Sequence, residues 1–144
     1  MAVALMNERT GVAVADAVEL ADTRASRRRG LLGRDCLEPS AALILAPCVA
    51  VHTAFMRFAI DVVFVDRDGR ALKIVSELAP WRIAWSPLAH AVVELAGGRL
   101  RSCEVAVGDR LYLAPLSGSS TASPSTSSIG VAESMRTASA KPTS

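Results

Sequence analysis

The feature that most constrains the fold is a pair of apolar runs joined by a very short link. The runs Ile60–Asp66 (IDVVFVD) and Arg70–Leu78 meet at the turn Asp66–Gly69, whose sequence is Asp-Arg-Asp-Gly. Asp suits a turn because it can bond its own backbone, and Gly because it tolerates positive φ. A link this short cannot make a crossover connection. The two runs are therefore predicted to be antiparallel strands of a β-hairpin.

Further short elements are predicted on both sides of this hairpin. Alternation of Val and Ala from Thr10 predicts a first strand, and Asp16 on its apolar face marks a bulge or a strand end. N-cap residues precede one short basic helix, predicted near Thr23–Leu32. A single helical turn is expected at Arg99–Cys103. Apolar runs between turn residues indicate four more strands, at Ala41–Ala46, Val49–Phe58, Ala91–Ala96 and Arg110–Ala114.

The expected architecture is α+β and β-rich, with about seven short, mainly antiparallel strands in a small barrel or sandwich and one short helix. Of the 144 residues, 51% are hydrophobic but only 4% are aromatic, so Val, Leu, Ile and Ala must build the core. Residues 1–9 are expected to be an N-terminal extension and residues 10–116 the domain. Half of the residues in Ser117–Ser144 are Ser or Thr. This segment is predicted to be a disordered tail, because it offers too little apolar surface to offset its ordering entropy.

Charge and cysteine content limit the class of partner. The net charge of +2 is too small to indicate a nucleic-acid partner, and the basic cluster Arg24–Arg34 has no interleaved aromatic residues. The uncharged stretch Pro39–Met56 contains Pro47 and His52, so it predicts two strands and no membrane span. Three cysteines without CxxC spacing indicate a reducing, cytoplasmic compartment. No metal site and no cofactor are expected, because no ligand spacing or binding motif for either is present.

Four polar side chains interrupt the most apolar part of the chain: His52, Thr53, Arg57 and Asp61. Burial of polar groups is costly unless partners satisfy them, so these residues form the best candidate for a ligand pocket. His52 can act as a base or contact a ligand, or it can be a partly buried histidine bonded to backbone or to Asp61. Arg57 can bind a carboxylate or phosphate through its guanidinium group, or it can form a structural ion pair with Asp61.

The Pro-bounded segment Pro80–Pro87 is a second candidate region, because it carries both tryptophans of the chain, Trp81 and Trp85. Irregular connections of this kind often carry function. Two tryptophans at this spacing can equally cap one end of a barrel. Both residues are included with the candidate ligand-binding residues.

Three blocks of sequence match a known pattern. They are Arg27–Leu37 (RRRGLLGRDCL), Val51–Arg70 (VHTAFMRFAIDVVFVDRDGR), and VVELAGG followed by VGDRL between Val92 and Leu111. In these blocks the chain resembles the bacterial and archaeal family known as domain of unknown function 192, over roughly Asn7 to Leu113. The resemblance implies a compact β-rich domain without an established activity. The chain departs from the family pattern at Ala59, where Pro is usual, at Phe55, where Trp is common, and at Ala41 or Ala42, where Gly is usual.

The sequence favours a small binding module over an enzyme, because no complete catalytic set is present. The ligand is expected to be a small molecule, which can be anionic, or a protein partner. The alternative is a small hydrolase or transferase with His52 as the base and Arg57 as the anion clamp. A third alternative is an adaptor whose tail or basic helix recruits another protein. The protein is expected to be a monomer or a weak dimer that binds neither nucleic acid nor membrane.

Truncation after Leu116 should leave the melting temperature unchanged, because Ser117–Ser144 is predicted to bury no apolar surface. Thermal unfolding followed by circular dichroism compares the full-length chain with the truncated one. A fall of more than a few degrees would show that the tail docks on the domain.

Overall fold

The computed structural model describes residues 2–21, 23 and 34–116. The predicted helix at Thr23–Leu32, apart from Thr23 itself, and the predicted tail at Ser117–Ser144 lie outside the described residues. Within these residues the chain forms ten strands and the expected helical turn. In chain order they are β1 (Val3–Asn7), β2 (Ala13–Ala15), β3 (Ala17–Ala21), β4 (Ala41–Leu45), β5 (Ala50–His52), β6 (Ile60–Val65), β7 (Ala71–Leu78), β8 (Ile83–Trp85), β9 (Ala91–Ala96), α1 (Arg99–Ser102) and β10 (Leu111–Pro115).

A five-stranded sheet in the order β3-β4-β9-β6-β7 occupies the centre of the domain. β3 and β4 are parallel, and the other neighbours are antiparallel. Every residue of β6 is buried, and in β9 only the last residue is partly exposed. Continuous apolar runs of this kind are typical of strands that are covered on both faces. The central sheet is therefore the middle layer of the molecule.

β6 and β7 form the predicted antiparallel hairpin. The carboxylate of Asp66 accepts hydrogen bonds from the backbone N–H groups of Asp68 at 2.9 Å and Arg70 at 3.0 Å. Gly69 has a φ of 85°, a conformation that strains any residue with a β-carbon. The turn chemistry inferred from the sequence is confirmed.

A smaller sheet covers each face of the central sheet. On one face, Leu5 and Val14 of the three-stranded sheet β10-β1-β2 share an apolar core with Val93 of the central sheet. On the opposite face, β5 and β8 form a two-stranded ribbon, and Val51 of this ribbon shares a second core with Phe64. The three sheets are separate and form a layered, β-rich α+β fold. They do not close into the barrel that was one of the two expected architectures.

The observed strands differ from the expected ones in four places. The segment Pro80–Pro87, expected to be an irregular connection, contains β8. β1 lies within residues 1–9, expected to be an extension, and it is the middle strand of its sheet because it pairs with β10 from the other end of the domain. The predicted first strand breaks at Asp16 into β2 and β3, which belong to different sheets. The predicted strand Val49–Phe58 shortens to Ala50–His52, because the chain turns after His52.

Asp109 joins the end of β1 to the loop before β10. Its buried carboxylate accepts hydrogen bonds from Nε of Arg9 at 2.7 Å, from Nδ2 of Asn7 at 2.8 Å and from the N–H of Ala106 at 2.9 Å. The hydrogen bond from Arg9 is the largest cause of a lowered pKa for Asp109, which falls from 3.8 to about 2. The other two donors reinforce this shift, and burial opposes it. The folded state therefore stabilises the ionised form.

The free energy of unfolding should contain a contribution from Asp109 that is complete above pH 3.8 and is lost as the pH falls to about 2. The reason is that the unfolded chain takes up this proton at a higher pH than the folded chain does. Asp109→Asn should remove this contribution and lower the stability at neutral pH by about 1–3 kcal/mol. Urea denaturation at a series of pH values measures both effects, with the exposed Asp16→Asn as the matched control. The same acid dependence in Asp109→Asn and in the wild type would contradict this assignment.

Candidate functional site

Thr53 connects the end of β5 to the loop before β8. Its backbone N–H donates to the carbonyl of Arg82 at 2.8 Å. Its buried hydroxyl donates to the carbonyl of Ala79 at 2.7 Å and accepts from the N–H of Arg82 at 2.8 Å. Its carbonyl accepts from the N–H groups of Met56 at 3.1 Å and Trp81 at 3.0 Å. Thr53 is thus the structural connection between the two loops.

Two exposed aromatic side chains meet next to this connection. Phe55 has a φ of 66° and Trp81 a φ of 64°, which is the left-handed region that bulky residues rarely occupy. Their ring centroids lie 4.6 Å apart in an edge-to-face arrangement, although the residues are 73% and 60% exposed. Strained backbone of this kind persists only where the surrounding structure enforces it. Here the hydrogen bonds to Thr53 hold both loops in place.

The outer face of the β5–β8 ribbon extends the exposed apolar area. The antiparallel register places His52 opposite Ile83 and Ala50 opposite Trp85, so these four side chains share one face. Ile83 is 63% exposed and Trp85 is 56% exposed, while the intervening residue of each strand faces the core. Exposed apolar groups that cluster in this way mark binding surfaces more often than scattered ones do. We call the set Phe55, Trp81, Ile83 and Trp85 the aromatic surface.

Two cationic side chains contact this surface through the tryptophans. Nζ of Lys73 lies 5.7 Å from the ring centroid of Trp85 and donates to the carbonyl of the same residue at 2.9 Å. Nη1 of Arg82 donates to the carbonyl of Trp81 at 3.3 Å. Both side chains are exposed, so positive charge lies at the edge of the apolar area.

Of the two alternatives for Arg57, the structural ion pair with Asp61 is wrong. Nη1 of Arg57 donates to Oδ1 of Asp35 at 2.6 Å, and the two side chains are 72% and 80% exposed. No local sequence pattern indicates this pair, because Asp35 comes from a separate segment of the chain. Exposed ion pairs contribute little stability. Arg57 can therefore exchange Asp35 for another anion at low cost.

Asp61 is fully buried and bonds to backbone groups. Its Oδ1 accepts hydrogen bonds from the N–H groups of Glu77 at 2.7 Å and Gly98 at 3.0 Å, and its Oδ2 accepts one from Leu100 at 2.8 Å. Glu77 lies in β7 with a φ of 50°, and the other two donors lie at the start of α1. The expectation that a polar group in this apolar stretch needs partners is confirmed for Asp61. The carboxylate has a structural role.

The six candidate ligand-binding residues do not form one cluster. The structure places His52, Trp81 and Trp85 on or beside the aromatic surface, Arg57 exposed at a separate ion pair, and Thr53 and Asp61 in the interior. The part that each plays in binding stays a prediction.

One buried acid, Glu94 of β9, was not among the sequence candidates. It is 5% exposed, and among the described residues its Oε2 has no hydrogen-bond partner. Burial raises the pKa of Glu94 from 4.5 to about 7, and the positive charge of Arg34 acts in the opposite direction. The available signal was a single charged residue inside the apolar run AVVELA.

An open depression of about 470 Å³ lies beside the hairpin turn, lined by residues 66–68 and 87–90. It contains none of the candidate residues. In the part of the chain that the structure describes, no group of three or more His, Cys, Asp or Glu side chains is arranged to hold a metal ion. The same residues contain no helix of the length and apolarity that crossing a membrane requires.

Asp61→Asn should lower the free energy of unfolding by about 2–4 kcal/mol, because the amide replaces one acceptor oxygen by a donor that faces backbone N–H groups. Asp35→Asn is the matched control. It removes an exposed carboxylate and should change stability by less than about 0.5 kcal/mol. Chemical denaturation measures both values, and equal losses in the two variants would argue against the structural role of Asp61.

The fold is similar to two solved structures. A protein from Sinorhizobium meliloti 1021, described as a candidate transcription regulator, is 25% identical with a TM-score of 0.67, and the match covers 76% of this chain and 90% of that protein. A protein of unknown function from Novosphingobium aromaticivorans DSM 12444 is 21% identical with a TM-score of 0.64, and the match covers 77% of this chain and 83% of that one. The second likeness shows the fold alone. Comparison with curated proteins gives no significant match.

The sequence itself shows the family. The family model DUF192, described as Uncharacterized ACR, matches residues 5–113. This range includes all five strands of the central sheet as well as both loops of the aromatic surface. It also confirms the resemblance carried by the three sequence blocks. The chain belongs to the DUF192 family of uncharacterised proteins.

Proposed function

We propose that the protein is a binding module whose ligand contacts the aromatic surface. The observation that carries this proposal is the pair Phe55–Trp81, which is strongly exposed and yet held in strained backbone beside Thr53. Strain of this kind costs about 1–3 kcal/mol per residue and clusters at ligand-binding positions. Aromatic rings that are fixed before binding lose little conformational entropy when the ligand arrives.

The size of the aromatic surface favours a small ligand. A large aromatic side chain offers about 150–250 Å², so three such side chains that are more than half exposed offer on the order of 400 Å². A stable protein interface takes about 800 Å² from each partner. A protein partner would therefore need contacts beyond this surface, whereas a small molecule would not.

The charges around the surface favour an anionic ligand that carries a planar ring. Each tryptophan of the surface has a cationic neighbour: Lys73 for Trp85 and Arg82 for Trp81. Planar rings stack on exposed aromatic side chains, and nearby cations attract a phosphate or carboxylate. The two kinds of contact together select a ligand that has both groups.

A hydrolase or transferase with His52 as the base and Arg57 as the anion clamp has weaker support. His52 lies on the exposed face of β5, and among the described residues its side chain forms no hydrogen bond. A catalytic base is usually oriented by a second side chain. Arg57 is bonded to Asp35 and not to a group near His52.

Intrinsic fluorescence tests the proposal, because both tryptophans of the chain, Trp81 and Trp85, belong to the aromatic surface. The probes are adenosine monophosphate, which has a ring and an anion, adenosine, which has the ring alone, and inorganic phosphate, which has the anion alone. Adenosine monophosphate should quench the emission at the lowest concentration, because it uses both kinds of contact. Absence of saturable quenching by all three probes would overturn the proposal.

Trp81→Ala should weaken the binding of adenosine monophosphate by about tenfold or more, since one stacking contact contributes about 1–3 kcal/mol. Trp85 remains as the fluorescent reporter in this variant. Val107→Ala is the matched control, because Val107 is 62% exposed but lies in the loop before β10. Equal weakening in both variants would show that the effect is not specific to the aromatic surface.

A further inference from the structure

The open depression beside the hairpin turn has the size of a small-molecule site. Its volume of about 470 Å³ falls within the range of about 300–1,000 Å³ that such sites occupy. Turn residues 66–68 form one wall, and residues 87–90, which precede β9, form the other. The depression is open to solvent, so a ligand has both space and access. No residue of the aromatic surface lines it, so the two features are separate.

Backbone hydrogen bonds hold both walls in place. In the turn, the N–H of Asp66 donates to the carbonyl of Arg70 at 3.0 Å. In the opposite wall, the N–H of His90 donates to the carbonyl of Val65 at 2.8 Å, and the carbonyl of His90 accepts from the N–H of Cys48 at 3.0 Å. A site with ordered walls loses little conformational entropy when a ligand binds.

The turn wall carries two opposite charges that the described residues leave open to a ligand. The exposed guanidinium group of Arg67 forms no hydrogen bond or ion pair with any of them. The carboxylate of Asp66 accepts its two turn hydrogen bonds through Oδ1, and Oδ2 accepts none from the same part of the chain. Adjacent Cα atoms are about 3.8 Å apart, so both groups can contact one small molecule. Asp68 lines the same wall and adds negative charge, which disfavours a simple anion.

The opposite wall offers an apolar contact. It contains Pro87 and Leu88. Leu88 is 84% exposed, more than any other large hydrophobic residue that the structure describes. Removal of apolar surface from water favours binding, so a ligand that covers this wall with an apolar group gains affinity.

We propose that the depression binds a free α-amino acid with an apolar side chain. The carboxylate of the ligand accepts paired hydrogen bonds from the guanidinium group of Arg67. Its ammonium group donates to Oδ2 of Asp66, and its side chain packs against Pro87 and Leu88. An amino acid thus has one group for each of the three features. A fatty acid lacks the cation, and an alkylamine lacks the anion.

Proton–nitrogen correlation NMR of the full-length protein tests this proposal with three matched probes. They are L-leucine, isocaproate, which is leucine without its ammonium group, and isoamylamine, which is leucine without its carboxylate. Leucine should shift the backbone amide signals of residues 67, 68 and 88–90 in a saturable manner. Each analogue should bind at least about tenfold more weakly, because one charge-assisted pair is lost. Equal affinities of the three probes, or no saturable shift at these residues, would overturn the proposal.

Arg67→Gln separates the two charged contacts. It should weaken leucine binding by about tenfold or more and should not weaken isoamylamine binding, because the amine has no group for the guanidinium. Arg101→Gln is the matched control, since Arg101 is an exposed arginine of α1 that does not line the depression. Equal losses of leucine affinity in the two variants would contradict the assigned role of Arg67.

Asp66→Asn should give the reciprocal pattern. The amide oxygen of Asn can still accept the hydrogen bonds of the turn, so the wall is kept while its negative charge is lost. Leucine and isoamylamine should both bind about tenfold or more weakly, and isocaproate should not. Amine binding as tight as in the wild type would overturn the ammonium contact, and with it the amino-acid site.

Discussion

The carboxylate of Asp61 lies in β6, the most buried strand of the central sheet, and accepts hydrogen bonds from three backbone N–H groups. Two of the donors belong to the start of α1, whose first N–H groups have no partners within the helix. The third belongs to Glu77, where the backbone of β7 leaves the regular strand conformation. Buried N–H groups that lack such a partner are rare in native proteins. One buried carboxyl group thus allows two irregular segments to pack against an otherwise apolar strand.

The positions of the exposed aromatic rings depend on the buried layers beneath them. Val51 and Ala84 attach the β5–β8 ribbon to the central sheet through their inner faces, and Thr53 then fixes the loops at its end. Binding groups are positioned best when packing and a supporting set of hydrogen bonds lock them on a rigid element. The strain of the left-handed backbone at Phe55 and Trp81 is offset by the stability of the regular, buried layers behind it.

Local chemistry explains which features could be predicted from the sequence. The Asp-Gly turn, the buried run of β6, the break at Asp16 and the turn of α1 each follow from neighbouring residues, and each is present. The layered arrangement requires pairing between distant strands, for which a single sequence carries little signal. Phe55 and Trp81 occupy positive φ without being glycine, so the aromatic surface had no local marker beyond the two tryptophans.

The candidate site was predictable only in part, for a related reason. Thr53 and Asp61 were correctly expected to need partners, since polar groups in apolar runs must be satisfied. Their actual partners are backbone groups of other loops, and the partner of Arg57 is Asp35. Glu94 was visible as a charge within an apolar strand. Its Oε2 has no hydrogen-bond partner among the described residues, and Arg34 is bonded to Glu19, both of which follow from tertiary structure.

The pairing of β1 with β10 has a consequence for the order of events during synthesis. Val3 lies opposite Pro115 and Asn7 opposite Leu111, so β1, which is synthesised before the other strands of the domain, must wait for β10. Contacts between such distant residues form late, because loop closure must precede them. Until then Leu5 and its neighbours have no permanent cover, and the nascent chain exposes an apolar strand edge to chaperones and to other chains.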